Sequence, residues 1–95
     1  MADKQYTSQG SPVQIASSNS AVTLVAANPK RVMFIIFNDS TQILYVKYGG
    51  SASSTDYTVQ IASGGYYEAP VPVYNGIVTG VWAAANGNGY ITELT

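Results

Sequence analysis

Short runs of apolar residues alternate with clusters of turn-forming residues along the whole chain. The runs that favour strands include AVTLVAA at 21–27, VMFIIF at 32–37 and ILYVKY at 43–48. Turn signals built from Ser, Asn, Asp, Gly and Pro recur about every 8–12 residues, and no segment has the 3.6-residue period of a helix. The pattern predicts an all-β fold, a single-domain antiparallel β-sandwich or small barrel that is jelly-roll-like, with about 7–8 short strands.

The two ends of the chain differ in pattern. Residues 1–10 are polar and small without periodicity, so we expect a flexible amino-terminal arm there. The β-sandwich domain is predicted to occupy residues 11–95. Within it, Pro70 and Pro72 cannot donate ladder hydrogen bonds, so the segment around them is predicted to be an edge strand or an extended crossing segment.

The stretch RVMFIIFNDSTQILYVKYGG, residues 31–50, has the strongest local signal for strands. Its two apolar parts are rich in β-branched and aromatic residues, which fit a pleated, half-buried surface. Between them, NDST supplies Asn and Asp side chains, which bond to their own backbone and tolerate left-handed conformations. We therefore predict a β-hairpin over this stretch.

Two strands are apolar on both sides, which a sandwich strand with one solvated face should not be. In 32–37 one side alternates with the other and neither is polar, and 77–82 is nearly as apolar. Loops, the amino-terminal arm or another copy of the chain could cover the outward sides, and we favour contact between subunits. The predicted oligomer or partner interface consists of Met33, Ile35, Phe37, Val78, Trp82, Tyr66 and Tyr67.

The adjoining basic residues Lys30 and Arg31 stand at the start of a predicted strand. They are predicted to form salt bridges with acids of a partner, and a solvated turn is the alternative. Elsewhere charge is scarce: charged residues are 9% of the chain, against about 25% in an average soluble domain. Depletion of charge together with eight Tyr is typical of the interior of a protein–protein contact.

The same composition excludes several classes of function. Four Lys and Arg in 95 residues do not make the basic face that nucleic-acid binding needs, and no apolar run reaches the roughly eighteen residues of a membrane span. We therefore expect neither nucleic acid nor membrane as a partner. MADKQYTSQG is too polar for a signal peptide, so synthesis in the cytosol of the producing cell is expected.

Catalytic chemistry is not predicted. The chain has no His and no Cys, which removes the usual general base, the thiol nucleophile and most transition-metal sites. Two of the acids Asp56, Glu68 and Glu93 could form a glycosidase pair, but nothing in the sequence supports such a pairing. We expect no enzyme, no metal and no cofactor, and the glycine-rich pieces are predicted to be turns rather than phosphate-binding loops.

Aromatic residues in the second half of the chain leave an alternative open. They could form a platform on which sugars stack, beside several Asn side chains, or they could fill the core and a subunit contact, which we favour. The aromatic residues concerned are Tyr66, Tyr67, Tyr74, Trp82 and Tyr90.

The segments RVMFIIFN, ILYVKYG, YTVQIASGGYYE, YNGIVTGVWAA and GYITEL, in this order, resemble small virion structural proteins of tailed bacteriophages. The likeness spans roughly residues 30–95 and is a pattern of strands and turns. It implies a capsid cement or decoration protein that binds the phage major capsid protein as a homo-oligomer, with a trimer favoured. It also implies a location on the capsid surface of the virion after synthesis in the host cytoplasm. A fibre-base or head–tail component and a carbohydrate-binding or receptor-binding module are the alternatives.

Overall fold

The computed structural model describes residues 7–95, which form two antiparallel four-stranded sheets packed face to face. No helix occurs in that range, so none there could cross a membrane. The strands are β1 (Gly10–Ala16), β2 (Val22–Val25), β3 (Met33–Asp39), β4 (Leu44–Tyr48), β5 (Val59–Ile61), β6 (Tyr66–Glu68), β7 (Val78–Trp82) and β8 (Asn88–Leu94).

The strand order is that of a jelly roll. The front sheet has the order β1-β8-β3-β6, and the back sheet has the order β2-β7-β4-β5. The chain therefore alternates between the sheets over most of its length, as in the double Greek key of jelly-roll domains. The predicted all-β sandwich is confirmed, with eight strands and open sheet edges rather than a closed barrel.

The predicted hairpin over residues 31–50 is wrong. β3 pairs with β8 and β6 in the front sheet, whereas β4 pairs with β7 and β5 in the back sheet. The segment between them crosses the end of the sandwich, where the inward side chain of Asn38 donates to the carbonyl of Gln42. Strand propensity and turn residues are local signals, and they do not tell a hairpin from a crossing between sheets.

The core lies between the inner faces of the two sheets. It contains alternate residues of the long strands. Its largest side chains are less than 2% exposed, and these include Trp82, Phe34 and Ile36. Phe34 and Ile36 of β3 meet the back sheet, so the side of this strand that carries Met33, Ile35 and Phe37 points out of the sandwich. The core cluster comprises Leu24, Phe34, Ile36, Leu44, Val46, Ile61, Ala69, Val78, Trp82 and Ile91.

The amino-terminal part of the sandwich begins earlier than residue 11. β1 starts at Gly10, and the backbone N–H of Thr95 donates to the carbonyl of Gln9 over 2.9 Å. The hydroxyl of Thr7 donates to the carbonyl of Thr95 over 2.8 Å. These residues are thus attached to the end of β8, and the remainder of the predicted arm, residues 1–6, lies outside the described residues.

Candidate functional site

The outer face of the back sheet is covered by a loop of the same chain. On β7 the side chains of Thr79 and Val81 point outward, yet they are only 5% and 8% exposed. The β4–β5 loop (residues 49–58) folds across them, and Ala52 in this loop is 5% exposed. All five residues of β7 are therefore buried without any partner chain.

Hydrogen bonds and one ion pair hold this loop in place. The hydroxyl of Thr79 donates to the carbonyl of Gly49 and accepts from the N–H of Ala52. At the base of the loop, Lys47 Nζ lies 2.6 Å from Asp56 Oδ2. Ser51 has φ 62°, in the left-handed region where a side chain is strained, which fits a loop whose shape is fixed by the surface beneath it.

The outer face of the front sheet has no such cover in the described part of the chain. Strand register places Phe37 of β3 between Tyr90 of β8 and Tyr66 of β6. We call these three residues the aromatic row. Their exposed fractions are 39% for Phe37, 37% for Tyr90 and 66% for Tyr66. Ile35 lies one step along β3 beside Thr92, and with Met33 and Leu94 it extends the apolar surface.

The predicted interface residues separate into three groups. Met33, Ile35, Phe37 and Tyr66 lie on the outer face of the front sheet, although Met33 also packs against the core. The interface prediction was wrong for Val78 and Trp82. Val78 is 0% and Trp82 is 1% exposed, so both belong to the core rather than to a surface. The two alternating sides of this strand were predicted correctly. The side that points outward is that of Thr79 and Val81, which the β4–β5 loop covers.

The interface prediction was also wrong for Tyr67, because its side chain points inward. It lies opposite Ile36, contacts the ring of Phe34 and shares a 2.7 Å hydrogen bond between its hydroxyl and that of Tyr48. Tyr48 in turn stacks on Tyr74, with ring centroids 4.6 Å apart. Burial raises the pKa of Tyr48 above its usual range, and the hydrogen bond with Tyr67 raises it further. The predicted sugar-stacking platform therefore does not form.

Arg31 is not available for a partner salt bridge, which corrects that prediction. It is 4% exposed, and its Nε lies 2.9 Å from Glu93 Oε2. Its remaining nitrogens donate to backbone carbonyls of three loop residues, and its guanidinium lies over the ring of Phe34 at 5.3 Å. Those carbonyls belong to Ala26, Tyr74 and Gly76. Lys30 is exposed, and its side chain remains a candidate for a partner.

A small open pocket of about 290 Å³ lies at the edge of the β4–β5 loop. Tyr45 and Val81 of the back sheet line it together with Ser53 and Ser54 of the loop and Asn19. No charged side chain lines it, so it suits a neutral polar molecule better than an ion.

Two of the three acids considered for a glycosidase pair are engaged in ion pairs within the described part of the chain. Glu93 is paired with Arg31 and Asp56 with Lys47. Glu68 lies opposite Ile35 at the edge of the front sheet. Among residues 7–95 no three acids come together as a metal-binding cluster.

Two residues that the sequence did not single out for these roles are central in the structure. Asn38, assigned to turn chemistry, is 0% exposed and accepts the indole N–H of Trp82. Tyr90 completes the aromatic row, and its place there follows from the register of β8 against β3 rather than from any local pattern. The alternation of residues along β3 and β8 would have placed Tyr90 beside Phe37 only if the pairing of these two strands had been known.

Comparisons with protein-family models, with curated proteins and with solved structures found no match to this chain. The fold and the surfaces described above therefore carry the functional argument.

Proposed function

We propose that this protein is a non-enzymatic structural protein of a virion, which binds and stabilises a capsid as a cement or decoration protein. The outer face of the front sheet closes a homo-oligomer, with a trimer favoured, and the aromatic row is the observation that carries the proposal. The partner on the particle is the major capsid protein of a tailed phage, which the polar Ser, Thr, Asn and Gln surface of the oligomer binds by hydrogen bonds.

The aromatic row has the chemistry of a protein-binding surface. Aromatic side chains bury about 150–250 Å² each when covered, at small cost in side-chain entropy, and they are enriched in interface centres. Here Tyr90, Phe37 and Tyr66 are aligned across three neighbouring strands, which keep them in fixed positions. Two exposed acids share this face, Glu68 opposite Ile35 and Asp39 two residues beyond Phe37, so a partner that covers the row must leave these carboxylates solvated or pair them with cations.

The contrast between the two sheets supports the same proposal. The back sheet uses a loop of its own chain to bury Thr79 and Val81, whereas the front sheet leaves Phe37 and Tyr66 accessible in the described residues. An apolar patch that the fold does not cover marks a contact surface. The jelly roll is a fold of viral capsid proteins among others, and the resemblance to phage virion proteins points in the same direction.

The experiment compares two matched substitutions by light scattering coupled to size exclusion. Phe37→Lys places a charge in the aromatic row, and Tyr57→Lys places one on the back-sheet side, where Tyr57 is 38% exposed. We expect wild type and Tyr57→Lys to have the mass of a closed oligomer of 10.0-kDa chains and Phe37→Lys that of a monomer. A monomeric wild type, or an oligomeric Phe37→Lys, would contradict the role of this face in oligomer formation.

Capsid binding is tested separately. Shells assembled from the major capsid protein encoded in the same genome are sedimented with each variant. The proposal requires wild type and Tyr57→Lys to sediment with the shells and to raise their resistance to heat, with many weak contacts adding up on a repetitive lattice. Wild type that stays in the supernatant over a range of concentrations would exclude the cement role.

A carbohydrate-binding module is the second candidate, and the pocket beside Tyr45 favours it. The ring of Tyr45 and the hydroxyls of Ser53 and Ser54 combine an apolar wall with an uncharged polar rim, which matches the two characters of a sugar ring. Chemical-shift changes of these residues on titration with mono- and disaccharides would support this candidate. Tyr45→Ala removes the wall and serves as the control that should abolish those changes.

A further inference from the structure

The four edges of the two sheets are not equally protected. β5 and β6 have three residues each, and Pro70 follows β6 closely. β2 has four residues and a register irregularity. Short strands, prolines and bulges are the usual means by which proteins prevent edges from pairing with other chains. β1 differs, because it has seven residues in unbroken register with β8.

The hydrogen bonds at both ends of the β1–β8 ladder fix which groups face the open edge. The N–H of Ser17 donates to the carbonyl of Gly87 over 3.1 Å, and the N–H of Thr95 donates to the carbonyl of Gln9 over 2.9 Å. Both pairs continue the register of the ladder. Since bonding residues alternate in an antiparallel pair, the odd-numbered residues of β1 bond to β8. The even-numbered residues Gly10, Pro12, Gln14 and Ala16 therefore direct their backbone groups outward.

The position of Pro12 agrees with this assignment of odd-numbered residues to β8 and even-numbered residues to the open edge. Pro12 is an outward residue, so its missing N–H costs nothing in the ladder with β8. Gly10, Gln14 and Ala16 still present outward N–H groups, and the outward carbonyls are complete. Among residues 7–95, no strand pairs with this edge.

We propose that this edge binds β1 of a second copy of the chain, antiparallel, about a two-fold axis at Val13. In this register the N–H of Gln14 donates to the carbonyl of the second copy's Pro12, and Gly10 and Ala16 exchange hydrogen bonds. Each interaction is repeated by symmetry, because a two-fold contact is self-complementary. The two front sheets then form one continuous sheet.

Val13 explains why the axis passes there. Its side chain is on the inner side of the front sheet, beside Ile91, but it is 50% exposed. At the axis the two Val13 side chains form a non-hydrogen-bonded pair, in which side chains are closest. The strand Gly10–Ala16 carries no charge, so like charges do not meet across the axis.

The contact is expected to be weak and reversible. One seven-residue strand edge covers less than the roughly 800 Å² per partner of a standard interface. It uses the edge of the front sheet, whereas the proposed oligomer contact uses the outer face. It therefore doubles the mass of a monomer and lets a closed oligomer associate further through each subunit's edge, and the two contacts can be tested independently.

The test is sedimentation equilibrium of wild type, Gln14→Pro and Phe37→Lys between about 10 µM and about 1 mM, the range in which a weak dimer forms. Gln14→Pro removes an outward N–H and leaves the bonds to β8 intact. We expect the mass of wild type to rise above that of its starting unit and that of Gln14→Pro to stay constant. Phe37→Lys should lose the starting unit but still double from monomer to dimer. Absence of further association in wild type, or equal association in Gln14→Pro, would overturn the proposal.

Two further variants protect this result from a folding artefact. Val13→Lys puts like charges on the axis without touching the backbone, and it should also prevent doubling. Ser11→Pro removes an N–H that bonds to β8, so it should lower the melting temperature, whereas Gln14→Pro should melt close to wild type. If the two proline variants had the same melting temperature, the assignment of which β1 residues bond to β8 would be wrong.

Discussion

Trp82 donates its indole N–H to the side-chain oxygen of Asn38 over 3.0 Å, and both side chains are buried. Asn38 lies near the end of β3 in the front sheet, and Trp82 is the last residue of β7 in the back sheet. The amide nitrogen of Asn38 also donates to the carbonyls of Gln42, Ile61 and Ala62. One side chain thus joins both sheets at this end of the sandwich.

Asn38→Ala should destabilise the protein by about 3 kcal/mol or more. The substitution leaves the indole N–H of Trp82 buried without its partner, at about 1–3 kcal/mol, and removes the hydrogen bonds of the amide nitrogen, at about 1 kcal/mol each. Urea unfolding followed by fluorescence measures the change, and because Trp82 is the single Trp of the chain, its signal reports on this site.

Asn86→Ala is the control for this prediction. Asn86 is exposed, and only its backbone N–H bonds, to the hydroxyl of Ser17. Its substitution should change the free energy of unfolding by less than about 0.5 kcal/mol. Equal effects of the two variants would show that the buried network contributes little.

Arg31→Met should cost about 3–5 kcal/mol of stability. It removes the charge that Glu93 pairs with and the donors to the carbonyls of Ala26, Tyr74 and Gly76, which connect the β2–β3 and β6–β7 segments. Thermal unfolding by circular dichroism measures the loss. Arg31→Lys should recover little of it, because an ammonium group cannot reproduce the planar fork of a guanidinium.

Lys30→Met separates this structural role from a role in partner binding. Lys30 is exposed, so we expect stability within about 0.5 kcal/mol of wild type. Any change that this variant causes in capsid binding therefore reports on a contact with a partner. A large loss of stability would mean that Lys30 has a structural role that its exposed position does not indicate.

Alkaline pH should destabilise the protein through Tyr48. Its pKa in the folded state is raised, chiefly by burial and then by the hydrogen bond with Tyr67, above the value of about 10 in the unfolded chain. Above pH 10 the unfolded state releases this proton while the folded state keeps it. The free energy of unfolding therefore falls as pH rises from about 10 towards the folded-state pKa, and below pH 10 the contribution is complete.

The measurement is the urea midpoint of wild type and Tyr48→Phe between about pH 8 and pH 11. The variant lacks the titrating hydroxyl, so its midpoint should fall less steeply above pH 10. Tyr57→Phe, in which a more exposed hydroxyl is removed, is the control and should keep the wild-type slope. Parallel curves for all three proteins would exclude Tyr48 as the source.

Gly87→Ala should be among the most damaging small substitutions. Gly87 has φ 85°, and a Cβ there would lie 2.5 Å from the carbonyl oxygen of Asp39 and 2.8 Å from Cα of Ser40. Backbone atoms cannot move aside as a side chain would, so we expect a loss of about 2 kcal/mol or more. Thermal unfolding checks this value.

Gly50→Ala is the matched case with the opposite expectation. A Cβ at Gly50 meets nothing within 4 Å, and its φ lies outside the left-handed region. The substitution should leave stability unchanged or raise it by up to about 1 kcal/mol, because it restricts the unfolded chain. A loss comparable with that of Gly87→Ala would show that the β4–β5 loop must bend at this residue.

Local pattern was sufficient for the fold class and for one face of β3. The alternation of Phe34 and Ile36 with Met33, Ile35 and Phe37 predicted two apolar sides, and the structure has both. Tyr66 and Tyr67 show the limit of the same reasoning. Adjacent residues of a strand point to opposite faces, and without the pairing partner the sequence does not tell which of the two is outside.

Long-range pairing explains the remaining errors. β3 and β4 are close in sequence but lie in different sheets, because their partners β8 and β7 come from the other end of the chain. Val78 and Trp82 were assigned to an interface because alternation alone does not tell which side of β7 faces the core. Arg31 is buried because two loop segments supply backbone carbonyls to it, and backbone positions are not encoded in side-chain pattern.

The loop that closes the back sheet gives the domain a polarity. One broad side is finished by its own chain, and the other side carries the aromatic row. A partner that binds the aromatic row leaves the loop-covered side of the back sheet facing solvent. Assembly through the aromatic row therefore ends after a single layer. Growth is then restricted to the plane of the sheets.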